Sequence, residues 1–191
     1  MINDLNLRPW IILTGWMCQQ ETDYWSKCLV DKISWERPFV NVYGKTYQVP
    51  RLTFFLGESG IKYNYSNVMH ESHGWPYWFK PLLERVNLES KTSFNGCLLN
   101  LYRDGNDRMG WHSDDESELD SLAPIASFSL GASRDFLLKH RKCNSKQSLN
   151  LSNGDLLIMQ PNCQKYWLHS VPSRKKVKEV RINLTFRRYI S

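Results

Sequence analysis

The sequence predicts an α+β chain whose N-terminal third, built of helices and a hairpin, leads into an all-β core of sandwich or jelly-roll type. Two observations carry this reading. From Asn95 onward, short apolar runs such as "CLLNLYR", "PIASFSLG", "DFLLKH", "SLNLS", "GDLLIMQ", "YWLHSVP" and "VRINLTFRRYI" alternate with Gly, Asn, Pro or charged turns. Many short strands at near-regular spacing form packed sheets or closed barrels. The second observation is the absence of repeats, low-complexity tracts and linkers over 191 residues, a length that suits one domain with a sizeable core. Residues 1–191 are therefore read as one domain, divided at residues 94 and 95. With 41% hydrophobic and 13% aromatic residues, the chain falls outside the disordered class.

The elements follow in order. "MINDLNLRPWIIL" is read as no signal peptide, because Asp4 and Arg8 interrupt it and no apolar run follows a basic start. Residues 21–33, "ETDYWSKCLVDKI", predict an amphipathic helix with an acidic first turn. "VNVYGKTYQVPR" alternates on both sides of Gly44 and predicts a β-hairpin with its tip near Tyr43, Gly44 and Lys45. "GWPYWFKPLLERV" predicts a helix from about Pro76, since Pro is tolerated in a first turn. No run reaches about eighteen apolar residues, so no membrane-crossing helix is expected.

Charge and cysteines narrow the class. The net charge is +6, and much of it lies in "RKKVKEVR" and in Arg187 and Arg188. On charge alone, a solvated basic surface and a nucleic-acid contact stand level. The five cysteines are scattered and contain no CxxC pair, which argues against a disulfide framework or zinc ribbon and points to a reducing cytosol.

The chemistry gathers at "GWHSDDESELD". His112 and Asp114 are two residues apart, and on a strand such residues share a face. Both side chains could then reach one metal ion. The composition alone yields roughly one chance HxD pair in four such chains, so the pair is weak by itself. His169, in the apolar stretch "YWLHSVP", reads alone as a satisfied core or edge histidine. Added to His112 and Asp114, it completes two histidines and a carboxylate with open positions, the ligand set of non-haem Fe(II) oxygenases. In "RINLTFR", Arg181, Asn183, Thr185 and Arg187 fall at even spacing on one strand face. They form either a basic outer face of an edge strand or an inward face, and inward arginines are costly unless they meet anions. A dicarboxylate supplies two.

The succession HxD, His, RxNxTxR is far more specific than its parts. In "NLYRDGNDRMGWHSDDE", "PIASFSLGASRDF", "LHSVP" and "RINLTFR" the chain resembles the AlkB family of Fe(II)/2-oxoglutarate nucleic-acid dealkylases, from about Val40 to Arg188, and within it the branch that repairs double-stranded DNA. The resemblance implies a double-stranded β-helix (jelly roll) over residues 95–191, with residues 1–94 forming N-terminal helices and a nucleotide-recognition lid. It implies that His112, Asp114 and His169 bind Fe(II). It places Arg181 on the distal carboxylate of the co-substrate 2-oxoglutarate, helped by Asn100 and Tyr102. Arg187 and Asn183 hold the end near the iron, supported by Thr185. Asp115, with Glu116 beside it, faces the exocyclic amino group and cationic ring of a base such as N1-methyladenine or N3-methylcytosine. Tyr63 and Tyr65 contact the flipped base, although two half-buried strand tyrosines explain them equally well. Tyr43, Gly44 and Lys45 form a finger that wedges into duplex DNA, and Arg51 contacts its backbone or opposite strand.

The implied activity is oxidative demethylation of N-alkylated bases in DNA, a direct-reversal repair. Three alternatives remain: an RNA or tRNA demethylase of the same family, a nucleic-acid-binding module without turnover, and a cupin-like protein holding another metal. The expected partner is alkylated DNA, double- or single-stranded, with RNA as the alternative. The chain is expected to act as a monomer, away from membranes, in the cytoplasm or, in a eukaryote, the nucleus.

Overall fold

The computed structural model describes residues 8–42, 44–65 and 68–190, with the side chains of 40–42, 63–65 and 68–70 excepted. The N-terminal part contains β1 (Trp10–Leu13), α1 (Gln19–Lys32), β2 (Phe39–Val42), β3 (Lys45–Gln48), β4 (Leu52–Gly57), β5 (Lys62–Tyr65) and β6 (Val68–Glu71). A 3-10 turn (Tyr77–Phe79) leads into α2 (Lys80–Ser90). The remainder contains β7 (Gly96–Tyr102), β8 (Met109–His112), β9 (Ile125–Gly131), β10 (Arg134–His140), β11 (Lys146–Leu151) and β12 (Leu156–Met159). A short helix α3 (Pro161–Tyr166) precedes β13 (Trp167–Val171) and β14 (Arg181–Arg187).

The larger sheet has the order β1-β12-β9-β14-β7-β4, and the smaller β11-β10-β13-β8. From β7 to β14 the chain passes back and forth between these two sheets, winding as a double-stranded β-helix, as expected. The expected helix at 21–33 begins two residues earlier, where the Glu21 carboxylate accepts the Cys18 N–H at 3.2 Å and closes the first turn. The helix expected from Pro76 starts as the 3-10 turn. The predicted hairpin is β2 paired with β3, and Gly44 takes the positive φ of 73° that a tight turn needs.

Strand alternation divides the residues between two cores. On β7 and β14, Cys97, Leu99, Leu101, Ile182, Leu184 and Phe186 pack in one apolar cluster with Trp25 and Leu29 of α1 and Leu82 and Val86 of α2. That helical layer covers the outer face of the larger sheet. The second cluster joins Tyr102, Leu157 and Met159 of the larger sheet to Phe136, Leu138, Trp167 and Val171 of the smaller, inside the barrel. Its members Tyr102, Phe136, Met159 and Val171 line an interior cavity together with Asn183, Thr185 and Arg187 of β14. Burying a side chain such as Phe186, fully covered here, contributes about 1.5–3 kcal/mol.

Several elements go beyond expectation. "WIIL" is an edge strand paired with β12, "LTFFLG" is a strand of the larger sheet paired with β7, β5 and β6 form a second hairpin, and "PNCQKY" is a helical turn immediately before β13. All five cysteines are free, and no described helix is long and apolar enough to cross a membrane.

Candidate metal and co-substrate site

The site is assembled by strand pairing. On the smaller sheet, β13 pairs with β8 so that His169 lies directly opposite His112. Their ring centroids are 4.2 Å apart. His112 is the last residue of its strand, and Asp114 lies in the coil that follows. The expectation that both sit on one strand face is thus corrected: the chain leaves the strand and turns the carboxylate back toward the rings. A hydrogen bond from the Asp114 N–H to Gln164 Oε1 of α3, at 3.0 Å, fixes that turn. The candidate ligand atoms of His112, Asp114 and His169 all lie within 4.8 Å of one another.

Each ligand has its orientation set. His112 Nδ1 is 2.9 Å from the Gly110 carbonyl oxygen, so Nδ1–H donates there and Nε2 presents a lone pair. Nε2 is 3.6 Å from Asp114 Oδ1. The other carboxylate oxygen, Oδ2, accepts from Arg187 Nε at 3.2 Å and Nη2 at 2.9 Å. His169 stacks on Phe136 at 5.0 Å. Burial raises the Asp114 pKa, but Arg187 and the two histidines outweigh it and hold the carboxyl well below its ordinary value. Burial, reinforced by His112, pushes His169 down to about 3. At neutral pH Asp114 is therefore a carboxylate and His169 a neutral imidazole, the states in which they can ligate a divalent metal. The buried His169 Nδ1 has no hydrogen-bond partner among the described residues. Such an atom is costly in a folded protein, and the whole donor set suits a transition-metal ion.

Beside this cluster, the inner face of β14 carries Arg181, Asn183, Thr185 and Arg187, exposed by 2%, 7%, 7% and 4%. The inward reading of "RINLTFR" is the one realised. Across the ladder Arg181 faces Tyr102, and Asn183 faces Asn100. Thr185 Oγ1 donates to Asn183 Oδ1 at 3.0 Å, while Asn183 Nδ2 donates to Ser127 Oγ at 2.8 Å. One cavity is lined by Asn100, Tyr102, Asn183, Thr185 and Arg187 together with His112, Asp114 and His169. Arg181 donates to Ser129 Oγ at 3.0 Å and lies 5.3 Å over the Tyr102 ring. Burial pushes its pKa down to about 10. No ion pair to Arg181 occurs among the described residues, and its Nε lacks a hydrogen-bond partner. A buried cation in that state is unfavourable by several kcal/mol until an anion meets it. A dicarboxylate co-substrate fits that requirement.

The nucleotide-contact expectations fare differently. Asp115 pairs with Arg141 at 2.9 Å, and Glu116 lies next to it. Both line a cavity of about 630 Å³, with Arg141 and Arg187, directly beside Asp114. That volume is within the roughly 300–1,000 Å³ of small-ligand sites. Burial raises the pKa of Glu116, against the pull of Arg187. Arg51 is corrected: it is 2% exposed, and its Nε donates to Asn100 Oδ1 at 2.7 Å. In this structure it supports a cavity residue and does not lie on the open surface. Lys45 is exposed beside Gly44 at the hairpin tip. Tyr43 lies outside the described residues, as do the side chains of Tyr63 and Tyr65 on β5.

Several contributors were missed by sequence reasoning. Ser127 and Ser129 alternate with apolar residues in "PIASFSLG", a period-two signal that could have identified them as inward-facing. Gln164 and Arg134 gave no local signal. Arg134 is buried, donates to the carbonyls of Asp107 at 2.8 Å and Pro172 at 2.7 Å, and lies 5.5 Å over the Tyr102 ring.

A family model described as the 2OG-Fe(II) oxygenase superfamily matches residues 10–187. The chain belongs to this superfamily. The oxygenase is 36% identical to the DNA oxidative demethylase ALKBH2 of Mus musculus over 180 residues, 90% of this chain and 72% of that protein. To ALKBH2 of Bos taurus it is 39% identical over 159 residues, 79% of this chain and 57% of that protein. To the alpha-ketoglutarate-dependent dioxygenase alkB homolog 3 of Homo sapiens it is 34% identical over 185 residues, 91% of this chain and 63% of that protein. It thus spans little more than half of some of the curated relatives it matches. The solved structure of OsALKBH1 shares its fold with a TM-score of 0.63 at 21% identity, covering 94% of this chain and 98% of that one. The superfamily implies Fe(II) and 2-oxoglutarate, and the His112, Asp114, His169 and β14 residues fit both.

Proposed function

We propose that this oxygenase is an oxidative demethylase of N-alkylated bases, such as N1-methyladenine and N3-methylcytosine, in DNA. The observation that carries the reading is Arg181, a buried guanidinium without an ion pair among the described residues, on the same inner strand face as Arg187, which pairs with Asp114 of the His-Asp-His cluster. A binding module has no use for such a face. The similarity to two ALKBH2 proteins named as DNA oxidative demethylases supports DNA as substrate.

In this reading His112, Asp114 and His169 hold the iron. Arg181, with Tyr102, binds the distal carboxylate of 2-oxoglutarate, while Arg187 and Asn183 hold the end nearer the metal. When bound, Fe(II) with O2 and 2-oxoglutarate supplies the oxidising chemistry that hydroxylates the N-methyl group; succinate and CO2 leave, and the product loses formaldehyde to restore the base. Asp115 and Glu116 present carboxylates to the amino group and positive ring of the lesion, and the adjoining cavity has room for a flipped base. Tyr63 and Tyr65 serve as contacts for that base, and the Tyr43, Gly44, Lys45 tip serves as a wedge. The protein works as a monomer wherever the cell keeps its DNA.

The test is formaldehyde release with Fe(II) and 2-oxoglutarate on methylated single-stranded DNA, duplex DNA and RNA of one sequence. Turnover on either DNA is expected. Turnover on RNA alone would overturn the substrate assignment, and none with any substrate would overturn the demethylase reading.

A further inference from the structure

Arg134 opens β10 and is 2% exposed. Its Nη1 donates to the Asp104 carbonyl at 3.1 Å, and its Nη2 to the carbonyls of Asp107 at 2.8 Å and Pro172 at 2.7 Å. The same guanidinium lies 5.5 Å over the Tyr102 ring, within cation–π range. These contacts join three segments. Tyr102 ends β7, and the turn after it is closed on itself: the Asp107 carboxylate accepts from the Arg103 N–H at 2.9 Å and from its guanidinium at 2.8 Å. Arg134 takes two carbonyls of that turn and covers the ring that precedes it. Pro172 directly follows β13, the strand of His169. One side chain therefore ties the strand of Tyr102 to the strand of a metal-ligand candidate. A planar fork can reach several acceptors and still offer a flat face to a ring, whereas an ammonium is a point charge.

We propose that Arg134 is a positioning residue for co-substrate selection and acts through Tyr102. Tyr102 lines the cavity with Asn100, Asn183 and the His-Asp-His cluster. Arg181 faces it across the ladder and lies 5.3 Å over its ring. Arg134 grips the turn by its main chain and the ring by its face, and so holds the phenol beside Arg181. The hydroxyl is then ordered for the distal carboxylate before the co-substrate arrives. Without that hold, the ligand must order Tyr102 itself, at a cost in affinity. The cost falls on the distal carboxylate alone, because the oxo-acid end is held by the metal, Arg187 and Asn183.

The inference rests on the co-substrate half of the proposed function, and its test contains no nucleic acid. Load the protein with Mn(II), a redox-inert stand-in, and measure Kd by calorimetry for 2-oxoglutarate and for 2-oxopentanoate, which has a methyl group in place of the distal carboxylate. Wild type should prefer 2-oxoglutarate. Arg134→Lys keeps the charge and Arg134→Gln removes it, and both lose the fork. Each should lower the preference about tenfold, the effect of losing a hydrogen bond to a charged group, with the Kd of 2-oxopentanoate little changed. In a Tyr102→Phe background, Arg134→Lys should lower the preference no further, because the group it acts through is gone. Equal weakening of both ligands would make Arg134 purely structural and overturn the proposal. A loss in Arg134→Gln but not in Arg134→Lys would assign the effect to charge and overturn it as well, as would an equal loss with and without the Tyr102 hydroxyl. A wild type that does not prefer 2-oxoglutarate would instead remove the co-substrate assignment itself.

Discussion

Strand β14 has two faces that are equally buried and entirely unlike. Ile182, Leu184 and Phe186 point outward to α1 and α2, each at most 2% exposed, while Arg181, Asn183, Thr185 and Arg187 point inward at 2–7%. The outward face is satisfied by what already touches it: Phe186 lies 6.0 Å from the Phe79 ring and 6.1 Å from that of Phe94. The inward face is not. Thr185 is hydrogen-bonded to Asn183 and Asn183 to Ser127, but Arg181 has a hydroxyl and an aromatic face where a counter-charge belongs. Burial on the outer side stabilises the fold. On the inner side it costs stability, which a bound anion would offset. The comparison teaches that buried area alone does not separate core from site; the inventory of partners does.

The comparison can be broken by substitution, and the effects should fall in a definite order. Replacing His112, Asp114 or His169 by Ala should abolish turnover, by a factor of about 10³ or more since the metal-held chemistry is lost, while the apo protein stays folded by circular dichroism. Near-normal activity in the Asp114 variant would show that the metal set is misassigned. Next, Arg187→Ala should raise the 2-oxoglutarate requirement by about 10² or more, as truncating one partner of a buried charge pair removes about 2–5 kcal/mol. A normal co-substrate titration beside weakened DNA binding would place this arginine's role on the nucleic acid.

Smaller still is the expected effect at the hairpin tip. Tyr43→Ala should slow repair of duplex DNA by about tenfold, because a wedge offsets a few kcal/mol of lost stacking, and should spare single strands. Comparing kcat/KM on one methylated oligonucleotide, alone and annealed, checks this; equal losses on both would remove the wedge. Least of all for the chemistry should be Phe186→Ala. It removes about 3–5 kcal/mol of stability, a Tm loss on the order of 10 °C for a domain of this size. Below its melting transition the variant should nevertheless bind 2-oxoglutarate as well as wild type.

The two faces were also unequally legible in the sequence. The alternation in "RINLTFR" and "CLLNLYR" displays both faces at once, and HxD, His and RxNxTxR, read through the family resemblance, mark the candidate metal and co-substrate residues. Local pattern fails where a distant partner decides. "WIIL" is too short for its periodicity to choose a state, and its pairing with β12, far along the chain, makes it a strand. Arg51 reads as a basic residue at a hairpin base. Asn100, 49 positions later, draws it inside. Asp114 was expected as a ligand, but its departure from the strand depends on Gln164, 50 positions away.

The most direct test of the central claim, that the inner face of β14 trades stability for a dicarboxylate, is a melting series on wild type and Arg181→Met with Mn(II), with and without 2-oxoglutarate. Wild type at saturating 2-oxoglutarate, about a hundred times its Kd, should gain about 2.7 kcal/mol, a rise in Tm of about 5–10 °C. Without ligand, Arg181→Met should melt at or above the wild-type temperature, because replacing an unmatched buried charge by an apolar chain of similar length is neutral or stabilising, and it should lose the rise on adding 2-oxoglutarate. An Arg181→Met protein that melts well below wild type without ligand, yet keeps the full rise with it, would contradict the account.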